Sequence, residues 1–203
     1  MKPQSGRSRG RRAAFLDRDG VINFDHGYVF RHEDFQFIPG ALEASARLAE
    51  HGFALVVVTN QSGIARGMYT EADFADLNAW MQVQFAGAGA ALSGVFYCPH
   101  HPVDGRGAYR VDCDCRKPAP GMLLRAADEL KLDLARSVLF GDKRHDLEAA
   151  ANAGVPARVL LATNAAHEPA RIEASLCSAS FRSLAEAVAS PVLWALLGEA
   201  SHA

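Results

Sequence analysis

Asp17 and Asp19 stand two residues apart, directly after the apolar run 13–16, and Gly20 follows them. If that run is a buried strand, side chains at i and i+2 point the same way. Both carboxylates then leave the strand end on one side. Gly20 lets the chain turn at once, because glycine accepts backbone angles other residues avoid. Two acids this close repel each other and favour a hard cation such as magnesium, which takes oxygen ligands. A phosphate ester can be the third party, with Asp17 as nucleophile and Asp19 as proton carrier. The same residues also suit an ordinary surface turn rich in Asp and Gly. The pair alone does not decide between the two.

Other polar groups follow other apolar runs. Thr59, in Thr59-Asn60-Gln61-Ser62-Gly63, ends the β-branched run 53–58, and Asp142 follows the run 137–140. Thr59 and the backbone N–H of Asn60 suit phosphoryl oxygens. Lys117, in Arg116-Lys117-Pro118, is a compact positive charge suited to the transferring group. Magnesium would join Asp17 and Asp142 to a phosphate oxygen. Asp146 lies four residues after Asp142, on the same face of any helix there. It is expected to orient the site or line the helix surface rather than bind metal.

These residues need elements to carry them. Helical spacing or capping signals predict helices over 40–51, 70–85, 118–131, 142–154 and 184–197. Strands are expected at 13–16, 53–58, 94–97, 137–140 and 157–161, with a weaker one at 178–181. Strands alternating with helices, and apolar throughout, predict a three-layer, Rossmann-like α/β fold with a mainly parallel sheet. Ligands of such sheets sit beyond the carboxyl ends of the strands. Asp17, Thr59 and Asp142 all fall there, which favours one shared site over three surface turns.

The 203 residues suffice for one well-filled core, so 13–203 is expected to be a single domain. A net charge of -2 gives no field for nucleic acid or a membrane. The exception is 1–12, with Lys2, Arg7, Arg9, Arg11 and Arg12 and no acid, which reads as a disordered basic tail. No apolar run reaches membrane-spanning length and no signal peptide is evident, so a cytoplasmic protein is expected.

Cys98, His100, Cys113 and Cys115 place three thiols and an imidazole in one short segment. In a reducing compartment this set suits tetrahedral zinc better than disulfides. His101 is an alternative to His100 on spacing alone. Four protein ligands leave no open position, so the zinc is expected to be structural. It would order the loop 98–117, which leads straight into Arg116 and Lys117. Cys177 stands apart and is expected to be inert.

FLDRDGVIN, DHGYV, ALVVVTNQSGIARG, YCPHHP, CDCRKPAPGMLL and GDKRHD occur in that order over roughly 13–165. The set resembles the motifs of the haloacid dehalogenase superfamily. Within it, the chain is similar to the zinc-loop phosphatases that act on heptose bisphosphate or histidinol phosphate. The resemblance implies Asp17 as nucleophile and Asp19 as general acid/base. It implies magnesium on Asp17, the main-chain carbonyl of Asp19, and Asp142. Thr59 and Lys117 would steady the phosphoryl group, and Arg116 would help recognise the sugar phosphate. Asp25, His26, Gly27, Tyr28, Asn60, Gln61, Ser62 and Lys143 would line the substrate site. The resemblance selects His100 as the zinc ligand. It further implies a monomer removing the C7 phosphate of heptose 1,7-bisphosphate. The absence of large insertions between Asp19 and Thr59, and of any but the zinc loop between Thr59 and Lys117, predicts an open site without a separate cap.

Overall fold

β1 (Ala13–Leu16) is buried along its whole length, and its side chains alternate between two cores. Ala14 and Leu16 join one apolar cluster, Ala13 and Phe15 the other. β2 (Ala54–Asn60) repeats this, with Leu55 and Val57 on one side and Ala54, Val56 and Val58 on the other. A strand covered on both faces has no polar side, hence the unbroken apolar runs. The computed structural model describes residues 10–162 and 172–199.

β3 (Leu92–Cys98), β4 (Val138–Gly141), β5 (Ala157–Leu161) and β6 (Ala179–Phe181) complete a six-stranded sheet of order β3-β2-β1-β4-β5-β6. Every pairing is parallel. α1 (Ala41–Glu50), α3 (Glu71–Gly87), α6 (Leu184–Ala189) and α7 (Pro191–Leu196) supply side chains to the core on one face. α4 (Gly121–Leu130) and α5 (Arg144–Ala153) supply the other. This is the expected three-layer arrangement. The chain runs outward from β1 through β2 to β3, then returns to β4 on the far side of β1. The strand order therefore reverses beside β1, where parallel sheets open a crevice for ligands.

The structure departs from the sequence expectations in four places. A short helix, α2 (Ser62–Arg66), follows Gln61 directly; at 5 residues it is too short for a periodic signal. α4 begins at Gly121 rather than at 118, because Ala119 N–H donates to Arg116 (2.8 Å) and Gly121 N–H to Asp114 (2.9 Å) in a tight turn. The expected helix 184–197 is two helices. Pro191 has no N–H to continue the ladder, and Ser190 caps the second helix by accepting from Val192 N–H. Of the expected tail, 1–9 lies outside the described residues, but Arg11 and Arg12 belong to the body. Arg11 bridges to Leu132. The Arg12 guanidinium lies 4.1 Å over the Phe53 ring and reaches His51 and Glu199.

No helix among the described residues is long and apolar enough to cross a membrane.

Candidate active site

Asp17 follows β1, Thr59 is the penultimate residue of β2, and Asp142 follows β4, so three strands deliver polar groups to one end of the sheet. Register holds them together. The Asp17 N–H donates to the Phe140 carbonyl at 3.0 Å, one strand away. The resulting cavity, about 260 Å³, is lined by residues that include Asp17, Asp19, Thr59, Arg116, Lys117 and Lys143.

Lys117 is the cation at the bottom. Its Nζ lies 2.8 Å from Asp17 Oδ1 and 2.7 Å from Asp146 Oδ1, and it donates to the Val58 carbonyl at 2.8 Å. Burial alone would lower the Lys117 pKa, but the Asp146 and Asp17 carboxylates more than reverse this and raise it. For Asp146, Lys117 and then His145 outweigh burial and hold the carboxyl below its usual range. Asp17 goes the other way. Burial, with help from Asp146 and Asp19, outweighs Lys117 and lifts it to about 6. Asp142 is pushed up to about 8, by burial and then by Asp17.

Those two rises show a site short of positive charge. Carboxylate oxygens of Asp17, Asp142 and Asp146 all lie within 4.8 Å of one another. Asp142 Oδ1 is buried without a hydrogen-bond partner among the described residues. Gly20 holds a φ of 88° there, and a Cβ on it would strike the Asp142 carboxylate. A hard divalent cation fits this donor set. Asp146 is already committed: beyond Lys117, its Oδ2 accepts the Lys143 N–H at 3.0 Å and caps α5. An ion held by Asp17 and Asp142 would leave these bonds of Asp146 in place.

Around this floor, the predicted substrate residues take different parts. Asn60 uses its amide on the backbone of Lys117, donating to the carbonyl and accepting from the N–H, both at 3.1 Å. It fixes the loop that carries Lys117. Gln61 donates to Thr59 Oγ1 at 2.8 Å and to Asp19 Oδ2 at 3.2 Å. Asp25 reaches across to Lys143 at 3.1 Å. Burial would raise Asp25, but the Gly27 N–H and Lys143 bring it below its usual range. Gly27, Tyr28 and Ser62 line the cavity. His26 does not. It is exposed and meets Gln36 at 3.2 Å, because the turn closed by Gly27 N–H onto Asp25 carries it outward.

Four lining or supporting residues escaped the sequence reading: Arg18, Asn23, Tyr69 and His145. Arg18 and Asn23 are buried and bond to Asp19. Tyr69 donates to Gln61 Oε1 at 2.5 Å. His145 lines the cavity one residue before Asp146. An arginine between two strand-end acids was a signal for Arg18; Tyr69 had none, being eight residues from its partner across the short helix α2.

The Cys98, Cys113 and Cys115 sulfurs lie 3.2–3.6 Å apart, and His100 Nδ1 is 3.4 Å from Cys115 Sγ and 3.9 Å from Cys98 Sγ. Tetrahedral zinc with bonds of about 2.3 Å would set its donors about 3.8 Å apart, so the set fits zinc. His101 faces Arg66 and Asp104 instead. The loop joins both walls of the cavity: the Cys98 carbonyl accepts the Gln61 N–H, and the His100 carbonyl accepts from Arg116.

A parallel sheet that brings an Asp-x-Asp pair, a threonine, a lysine and a further aspartate to its switch point defines a haloacid-dehalogenase-like hydrolase. A family model described as "HAD-hyrolase-like" matches residues 114–187. The D-glycero-beta-D-manno-heptose-1,7-bisphosphate 7-phosphatase of Vibrio cholerae is 55% identical over 151 residues, 74% of this chain and 81% of the relative. The Escherichia coli K12 protein of the same name is 54% identical, over 74% of this chain and 79% of the relative. Among solved structures, a D,D-heptose 1,7-bisphosphate phosphatase from B. bronchiseptica, complexed with magnesium and phosphate, matches with a TM-score of 0.71 and 34% identity, over 87% of this chain and 96% of that one. The chain belongs to the D-glycero-beta-D-manno-heptose-1,7-bisphosphate 7-phosphatase family of haloacid-dehalogenase-like enzymes, and it is a phosphoric monoester hydrolase.

Proposed function

We propose that this enzyme removes the C7 phosphate of D-glycero-D-manno-heptose 1,7-bisphosphate through a phospho-aspartate on Asp17. The convergence of Asp17, Thr59 and Lys117 on one cavity, with an Asp142 carboxylate oxygen within 4.8 Å of Asp17, carries the reading. The names of its relatives supply the substrate.

Phosphate monoesters hydrolyse very slowly in water, so the protein must position groups and neutralise charge. An Asp17 oxygen attacks phosphorus. The bond from phosphorus to the sugar oxygen breaks, and that oxygen takes a proton from the Asp19 carboxyl. Water then attacks phosphorus and gives its proton to the Asp19 carboxylate. The bond to Asp17 breaks, the carboxylate is restored and inorganic phosphate leaves. Lys117 and the Thr59 hydroxyl hold the phosphoryl oxygens throughout. Arg116, Lys143 and the 25–28 loop seat the sugar and its second phosphate.

Asp17, Asp142 and the main-chain carbonyl of Asp19 would hold magnesium. When bound, the ion neutralises phosphate charge beside the nucleophile. Cys98, His100, Cys113 and Cys115 would hold a structural zinc, which keeps Arg116 facing the cavity.

Replacing Asp17 by Asn tests the reading. Magnesium-dependent phosphate release from heptose bisphosphate should fall to background. Release at the native rate would refute the nucleophile, whereas a non-catalytic, zinc-stabilised module predicts no magnesium-dependent release from the unaltered protein either.

A further inference from the structure

Asp19 is paired with an arginine, whereas Asp17 and Asp146 share Lys117. Arg18 sits between the two acids and is 2% exposed. Its Nη2 donates to both Asp19 carboxylate oxygens at 2.9 Å, and its Nε adds a contact at 3.2 Å. Asn23 donates to Asp19 Oδ1 at 3.0 Å and Gln61 to Oδ2 at 3.2 Å. The same Nη2 also donates to the Val29 carbonyl at 2.7 Å, at the end of the loop carrying Asp25, Gly27 and Tyr28. The remaining nitrogen, Nη1, is buried without a partner among the described residues.

A buried donor left unmade is costly, and such groups ask for an explanation beyond packing. The forked guanidinium matches a carboxylate in a way that a lysine ammonium cannot. We infer that Arg18 is a positioning residue: it sets where Asp19 stands relative to the sugar oxygen and ties that position to the substrate loop through Val29.

This rests on Asp19 being the proton donor, as read above. The consequence is specific. A sugar alkoxide is a poor leaving group and needs its proton as the bond breaks. A p-nitrophenolate is a good one and does not. Loss of the arginine should therefore slow sugar phosphate hydrolysis far more than aryl phosphate hydrolysis. A structural defect would slow both alike. Because both substrates are read on one preparation, the ratio of turnovers does not depend on how much of it is folded.

The experiment measures kcat and KM of the magnesium-loaded enzyme on heptose 1,7-bisphosphate and on p-nitrophenyl phosphate. The variants are Arg18→Gln, Arg18→Lys and Asp19→Asn. Arg18→Lys keeps the charge and loses the fork, and it carries the test should Arg18→Gln not fold. General acid catalysis contributes about 10²–10⁴-fold. On that scale, both Arg18 variants should lose about 50-fold or more in kcat/KM on the sugar. Their kcat/KM on the aryl ester should stay within about three-fold, because this parameter reports phosphoryl transfer to Asp17 and not the later attack of water, which both substrates share. Equal losses on both substrates, or no loss on either, overturn the positioning role when Asp19→Asn does shift the ratio. An unshifted ratio in Asp19→Asn instead overturns the role given to Asp19, and the reason for Arg18 goes with it.

Discussion

Lys117 Nζ and Asp146 Oδ1 lie 2.7 Å apart, and both side chains are almost wholly shielded from solvent. The pair is the floor of the site. Two carboxylates, Asp17 and Asp146, share that one ammonium. Removing one partner of a buried pair leaves an uncompensated charge, at a cost of about 3–5 kcal/mol. Lys117→Met should therefore lose stability of that order in urea unfolding as well as all activity. A variant that unfolds like the native enzyme would show that the lysine acts on substrate alone.

The raised carboxyls predict a metal-linked pH effect. Asp142 has a folded pKa of about 8 against an ordinary value of 3.8. The folded state then binds more protons than the unfolded one, so stability of the metal-free protein falls as pH rises. Above about pH 7.5 the lowered His101 and His145 are largely neutral in both states, and the Cys98 and Cys115 thiols, raised by burial, add to the effect of Asp142 in the same direction. In chelator, Tm should drop between about pH 7 and pH 8.5. Magnesium binds the ionised form and should stabilise more at the higher pH. A Tm gain from magnesium that shrinks as pH rises would contradict this.

Gly20 gives a more local handle on the same ion. Alanine there must take a left-handed φ and press on the Asp142 carboxylate. Changes beside metal ligands cost about 10–100-fold in affinity or activity. Gly20→Ala should need about ten-fold or more magnesium for half-maximal activity. An unchanged magnesium requirement would place the ion elsewhere.

Cys113→Ala tests the loop. The protein should lose zinc, and turnover should fall with it, because Arg116 is bonded to the His100 carbonyl and Gln61 to the Cys98 carbonyl. Unchanged zinc content and unchanged turnover would remove the proposed link between loop and site.

Much of this was legible from residue order, for a physical reason. A strand buried on both faces must be apolar, so β1, β2 and β4 announced themselves. The first polar group after each then marked the carboxyl edge. Asp17, Thr59 and Asp142 were readable in that way. Contacts across turns were not. Nothing in the order of residues pairs Tyr69 with Gln61, or turns His26 outward while keeping Asp25 and Gly27 at the cavity. Asn60 lines the cavity as read, but that its amide also holds the Lys117 backbone was not readable. Arg18 was overlooked because an arginine at a strand end ordinarily reaches solvent. Here four acceptor contacts, to Asp19 and Val29, hold it inside. The break at Ser190 was available, since Pro191 forbids an unbroken helix, and apolar spacing across it concealed the stop.

The most direct test of the account is a steady-state comparison of heptose 1,7-bisphosphate with histidinol phosphate on the native enzyme with magnesium and zinc. A site built to bond one substrate's polar groups discriminates strongly against a substrate that lacks them. The account predicts a kcat/KM for the heptose bisphosphate at least about 100-fold higher. Equal values, or a preference for histidinol phosphate, would contradict it.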